Sequence, residues 1–220
     1  MAVTLTAHDA VAILDIGDDE NRFSPDWLDA MHNALDQAVA AAPTALVTTA
    51  TGKFFSNGLD LDWILAHSDQ WGVYADRVQT LLSRVLTLPV PTVAAVNGHA
   101  FGAGAMLALC CDFRIMREDR GFFCFPEVDI KIPFTPGMNA LIVSKLTPQA
   151  ATMSMITGRR FGGPDAHAYG IVDATATEDA LMESAVELIA PLATKDVATV
   201  STIKSTMYAH VTEAFALPVS

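Results

Sequence analysis

Residues 91–112, PTVAAVNGHAFGAGAMLALCCD, hold the most suggestive chemistry in the chain. Thr92, Val93, Ala94, Ala95 and Val96 form an apolar strand-like run, opened by Pro91 and closed by Asn97-Gly98. From Ala103 onward Ala105, Met106, Leu107, Ala108 and Leu109 are good helix formers. Gly98, Gly102 and Gly104 lie in the joint, where glycine permits unusual backbone angles and close approach of a ligand. A strand, a glycine joint and a helix start together present free N–H groups and a positive dipole end. That arrangement suits an anion or a developing oxyanion. The same glycines would also serve close packing with no ligand, and the local pattern leaves both roles open.

Other chemistries are poorly supported. Gly102-x-Gly104 is followed by Leu107, so the dinucleotide pattern GxGxxG fails, and no GKS or GKT marks a P-loop. The six histidines are scattered without metal-ligand spacing, and His99 in the joint reads as a packed side chain. Ser56 has no nearby His or Asp in a triad pattern. Cys110, Cys111 and Cys124 are an odd number in apolar surroundings and read as reduced core thiols. Hydrophobic residues make up 51% and charged residues 17%, enough for a large core with further burial between subunits. A net charge of −12 argues against nucleic acid or an anionic membrane as partner. No apolar run approaches a membrane span of about 20 residues.

The elements that must position the joint follow from periodicity. Residues 3–6 and 11–16 read as a β-hairpin around His8-Asp9. Ser24 caps a helix that has Pro25 in its first turn, runs to about residue 41 and is broken by Pro43; Trp27, Leu28, Met31, Leu35 and Val39 form its apolar stripe. A buried strand over 45–49, a short helix over 61–67 and a longer one over 73–88 precede the central strand. Strands over 113–116 and 122–125 follow, then helices over 138–145, 148–157 and 165–169, and a last strand over 171–174. Two terminal helices, 178–192 and about 197–215, close the chain. Strands alternating with helices imply an α/β fold with mostly parallel sheets.

Three motifs in order carry a family resemblance. They are Phe54-Phe55-Ser56-Asn57-Gly58-Leu59-Asp60, then Asn97-Gly98-His99-Ala100-Phe101-Gly102-Ala103-Gly104 with Cys111-Asp112, then Pro126-Glu127. This sequence resembles the crotonase superfamily of enoyl-CoA hydratases and isomerases over nearly its whole length. The resemblance implies a crotonase-type ββα spiral over 1–175 holding a CoA-thioester site, with a helical, trimerising C-terminal region over 176–220. It places the oxyanion hole on the N–H groups of Leu59 and Ala103. It implies substrate contacts at Asn57, Gly58, Asp60, Leu61, Gly102 and Met106.

The resemblance also shows a departure. Hydratases of this family use two glutamates; the second is present as Glu127, but the first falls on Met106, which cannot transfer a proton. Adding water needs one group to activate the water and another to protonate carbon. Moving a double bond needs a single base, so the resemblance is closest to monofunctional Δ3,Δ2-enoyl-CoA isomerases. Glu127 is then the catalytic acid/base, its pKa raised by the apolar neighbours Phe122, Phe123, Phe125, Val128 and Ile130. If Glu127 and Asp129 lie on a strand they share a face, with Asp129 structural. Lys53, Arg159, Arg160 and Lys204 are candidates for CoA phosphates but read more simply as solvated surface charge. No metal or redox cofactor is expected, CoA entering as part of the substrate. The expected assembly is a homotrimer or hexamer, and the expected location a bacterial cytoplasm or, alternatively, the peroxisome. Other readings are a hydratase, a dienoyl-CoA isomerase, or a non-catalytic CoA-thioester binding protein.

Overall fold

The computed structural model describes residues 3–8, 10–41 and 44–219. Strands β1 (Thr4–His8) and β2 (Val11–Asp15) form the expected antiparallel hairpin, His8 opposite Val11; Asp9 lies outside the described residues. Helix α1 (Pro25–Ala40) starts where Ser24 Oγ accepts the Trp27 N–H at 3.2 Å. Its buried face is Leu28, Met31, Ala34, Leu35 and Ala38, so Val39, expected in the stripe, is exposed; Pro43 lies outside the described residues. Next come β3 (Ala45–Thr49), β4 (Phe54–Ser56), α2 (Leu61–Ala66), α3 (Trp71–Leu86), β5 (Thr92–Val96), β6 (His99–Phe101) and α4 (Ala103–Cys110). Strands β7 (Phe113–Arg117) and β8 (Phe123–Cys124) lead to α5 (Glu127–Ile130), α6 (Pro136–Lys145), α7 (Pro148–Thr157) and α8 (Gly163–Ala168). The chain ends with β9 (Ala174–Ala176), α9 (Leu181–Ile189), α10 (Val197–Met207) and α11 (Ala209–Phe215).

Two sheets organise these elements. One runs β1-β2-β3-β5-β7-β9, parallel except for the hairpin; the other is the parallel set β4-β6-β8. The pairs β3-β4, β5-β6 and β7-β8 each place one strand in the large sheet and the next in the small one, and each is followed by a helix. That is a ββα spiral. Helix α4 is the axle: all eight of its residues are buried and none is charged, as a helix apolar on every side must be. Among the described residues no helix is long and apolar enough to cross a membrane.

Four expectations are corrected. The joint before α4 contains the strand β6, too short to register as a periodic run. The apolar run Ile171-Val172 is not a strand. Both residues plug the core after α8, Ile171 N–H donating to Ala166 O at 2.8 Å, and β9 begins only at Ala174. The last helix breaks at Tyr208, whose ring is buried and whose hydroxyl lies 3.2 Å from Lys145 Nζ. Lys204, read as surface charge, is buried at 5% exposure. Its ammonium lies 2.6 Å from Asp112 Oδ2 and donates to Val90 O at 2.7 Å. Asp112 also accepts from Thr92 N at 2.8 Å, so one carboxylate ties α10 to the root of β5. Removing one member of a buried pair strands the other charge. Lys204→Met should therefore cost about 3 kcal/mol of stability in urea denaturation; a loss below a few tenths of that would show the pair to be dispensable.

Candidate active site

The site forms where the small sheet meets the start of α4. After β4 the chain turns through Asn57–Leu59. Ser56 Oγ pins that turn, donating to Asn21 O at 2.7 Å and accepting the Gly58 N–H at 3.1 Å. Gly58 has φ +80°, and a Cβ there would lie 2.6 Å from Phe101 O and 3.0 Å from Ala103 N. A Cβ on Gly104 would lie 2.4 Å from Ser56 O. Only glycine allows these two backbone segments to touch. The contact brings Leu59 and Ala103 to one cavity of about 290 Å³. Among the described residues neither Leu59 N–H nor Ala103 N–H donates a hydrogen bond. Ala103 is the first residue of α4, so its N–H also carries the helix's positive end.

Glu127 faces the same cavity. Pro126 and Glu127 open the single helical turn α5, closed by Lys131 at φ +60°. Asp129 therefore does not share a strand face with Glu127; its carboxylate lies against Gly158, outside the cavity. Glu127 is 8% exposed, and its Oε2 is buried without a hydrogen-bond partner. A Cβ on Gly102 would sit 3.3 Å from Glu127 Oε1, so the missing side chain leaves room for the carboxylate. Burial pushes its pKa up to about 7, a backbone hydrogen bond opposing weakly. The other carboxylate on the wall, Asp62, is solvent-facing and paired with Arg22 at 2.6 Å.

The model of the family described as enoyl-CoA hydratase/isomerase matches residues 6–217. The chain belongs to this family. It is 40% identical over 190 residues to enoyl-CoA delta isomerase 3 of Arabidopsis thaliana, covering 81% of this chain and 79% of that protein. It is 37% identical over 145 residues to carnitinyl-CoA dehydratase of Escherichia coli, covering 66% and 55%. Among solved structures, an apo enoyl-CoA isomerase of Mycobacterium tuberculosis superposes with a TM-score of 0.89 at 25% identity, covering 97% of this chain and 93% of that one. An enoyl-CoA hydratase/isomerase family protein of Pseudomonas syringae gives 0.91 at 26%, covering 97% and 93%. The fold is thus the crotonase fold with C-terminal helices, and acyl-CoA thioesters are the family's substrates.

Within this enoyl-CoA hydratase/isomerase frame, Asn57, Leu59, Leu61, Gly102, Ala103 and Glu127 line the cavity together. Gly58, Asp60 and Met106 do not. Gly58 shapes the turn; Asp60 caps α2 by accepting Trp63 N–H at 3.2 Å; Met106 is wholly buried one turn along α4. His99 packs at a tilt among Phe54, Phe101 and Phe122, with ring centroids 5.1–5.5 Å away. None of Lys53, Arg159, Arg160 and Lys204 reaches the wall; Arg159 pairs with Asp165 at 2.9 Å and Arg160 lies over the Phe101 ring. Sequence reasoning missed Arg22, Asp62 and Ile132; Phe101 and Pro126 stood in the family motifs and Ile130 among the apolar neighbours of Glu127, none of them assigned to the cavity. Of the three missed, Arg22 left a signal, as the one Lys or Arg in the first 52 residues.

Glu127 links the site to stability. Its folded pKa lies above its unfolded one, so between about 4.5 and about 7 the native state binds more protons than the unfolded state. Its contribution to stability is therefore retained below that window and falls as pH rises through it. Glu127→Gln removes this loss. The stability of the variant relative to the parent should rise by about 3 kcal/mol between pH 4.5 and 8 in urea titrations. A pH-independent difference would mean an ordinary, hydrated carboxyl.

Proposed function

We propose that this protein is a Δ3,Δ2-enoyl-CoA isomerase of fatty acid β-oxidation that works with one carboxylate. The observation that carries this reading is the buried carboxyl of Glu127, whose Oε2 has no hydrogen-bond partner, on a wall whose one other acid among the described residues, Asp62, is paired with Arg22. In the proposed cycle the thioester oxygen sits between the N–H groups of Leu59 and Ala103. Glu127 as carboxylate takes a proton from C2 of the 3-enoyl chain. The electron pair moves through the chain, and negative charge gathers on the thioester oxygen, where the two donors stabilise it. Glu127, now protonated, returns the proton at C4, and the double bond stands between C2 and C3. Each atom is accounted for and no water enters.

A pKa near 7 suits both halves of that cycle, since the group must accept and then release one proton near neutral pH. Hydration would need a second proton-transfer group, and the helix position that would carry it is Met106, buried in the core. The resemblance to plant delta isomerases supports the same choice. The exposed apolar side chains of α10, Val197, Ile203 and Met207, fit burial between subunits of a trimer.

With 3-hexenoyl-CoA the protein should raise ultraviolet absorbance as the conjugated 2-enoyl thioester forms. Its kcat/KM should climb with pH to a plateau above about 7. Glu127→Gln should reduce the rate by about 10²–10⁴-fold with the fold intact. A folded wild-type protein that binds hexanoyl-CoA but produces no conjugated product would refute the isomerase reading. Light scattering should give three or six 23.4 kDa chains; a monomer at micromolar concentration would refute the assembly.

A further inference from the structure

The turn that presents Leu59 N–H is held on both sides. Before it, Asn57 N–H donates to Glu20 O at 2.8 Å and Gly58 N–H to Ser56 Oγ at 3.1 Å, while Gly58 O accepts the Phe23 N–H at 2.8 Å. After it the chain makes an inverse γ-turn: Asp60 has φ −81° and ψ 83°, and Leu61 N–H donates to Leu59 O at 3.1 Å. Asp60 N–H is left over by that turn and donates to the hydroxyl of Tyr74 at 3.0 Å. Among the described residues the amides of Asn57, Gly58, Asp60 and Leu61 thus all have acceptors, and Leu59 between them has none. Tyr74 lies near the start of α3 and does not line the cavity. It is 1% exposed, its ring stacked on Trp63 with centroids 5.2 Å apart and tilted against Trp71 at 6.3 Å. Burial pushes its phenol above the ordinary range, so the hydroxyl stays neutral.

We propose that Tyr74 is a positioning residue, whose hydroxyl aims Leu59 N–H at the point it shares with Ala103 N–H. This rests on the acyl-thioester reading of the site. The direction of the Leu59 amide is set by the peptide planes on either side of its Cα. The plane before it is fixed by Phe23 N–H on Gly58 O. The plane after it carries Leu59 O and Asp60 N–H. Its carbonyl is held by the local γ-turn, and its N–H by Tyr74, the tie to a helix 14 residues away. Without the hydroxyl that plane can rock, and the Leu59 amide rocks with it. A donor stabilises developing charge best when it need not reorient as the charge appears. The loss therefore falls on the transition state and not on binding of the neutral thioester.

Tyr74→Phe keeps the ring and deletes the acceptor. With 3-hexenoyl-CoA its kcat should fall by about 10–10²-fold, with KM within about twofold of the parent. Its kcat/KM should still reach a plateau above about 7, because Glu127 is untouched. Bound 2,4-hexadienoyl-CoA gives a readout without turnover. Its absorbance moves to longer wavelength when donors polarise the thioester carbonyl, and that shift should be smaller in Tyr74→Phe than in the wild type. Trp71→Phe disturbs the same aromatic packing without touching Asp60 N–H, and should keep the wild-type kcat and red shift. A folded Tyr74→Phe with wild-type kcat and red shift, or equal losses in Trp71→Phe, would overturn the proposal. If Tyr74→Phe does not fold, hydrogen exchange in the wild type decides: a protected Asp60 amide supports the tie, and exchange as fast as at an exposed amide overturns it. Failure of the isomerase reading looks different: no conjugated product from the wild type, with the red shift and its loss in Tyr74→Phe intact.

Discussion

The site depends on one close backbone contact, that between the turn after β4 and the first residues of α4. Side chains are excluded from it at Gly58 and Gly104, where an added Cβ would fall within 2.6 Å and 2.4 Å of carbonyl oxygens. Under the proposed function, the reason lies in what must be held. An oxyanion hole of two main-chain N–H groups works only if both point at one position and neither is spent elsewhere. Main-chain groups from two separate segments can converge that closely only where nothing larger than hydrogen stands between them. The spiral supplies the segments. Each β strand of the small sheet follows a strand of the large sheet, so successive turns stack β4 beside β6 and leave the start of α4 at their common end.

A second constraint acts on the acid. A carboxyl group withdrawn from water, with one oxygen lacking a hydrogen-bond partner, favours its neutral form, and the fold accepts that destabilisation at Glu127. The compensation lies in an axle with no polar side chain, α4, and in aromatic packing around β8, where Phe123 and Phe125 meet edge to face. This packing leaves Glu127 only 8% exposed. The same burial that costs stability at neutral pH brings the proton affinity of the group close to what a reversible proton transfer requires.

Much of this was legible in the sequence. The strand-glycine-helix joint is spelled out by residue type, because small residues and an uncharged helix leave few alternatives for residues 91–112. The family motifs then locate Leu59, Ala103 and Glu127, which do share one cavity. Other features were hidden for physical reasons. β6 is three residues long, below the length at which alternation is visible. Arg22 and Ile132 reach the site from irregular segments whose position is set by the spiral's topology, not by local periodicity. The burial of Lys204 was hidden too, since a lysine in a mostly polar helix looks solvated until its partner Asp112, 92 residues earlier, is placed beside it. The condition set for Asp129 was not met for a similar reason: whether residues two positions apart share a face depends on strand or helix, and here both lie in α5, with Asp129 outside the cavity.

The central claim is that one buried carboxylate carries a proton across the substrate without help from water. Running the isomerisation of 3-hexenoyl-CoA in deuterium oxide and locating deuterium in the first-formed 2-enoyl product tests it most directly. The account predicts that C4 retains a large share of the proton removed from C2, so that deuterium there stays well below full incorporation. Complete deuteration at C4 from the earliest turnovers would contradict it, because the proton would then have come from solvent or from a second group in exchange with it.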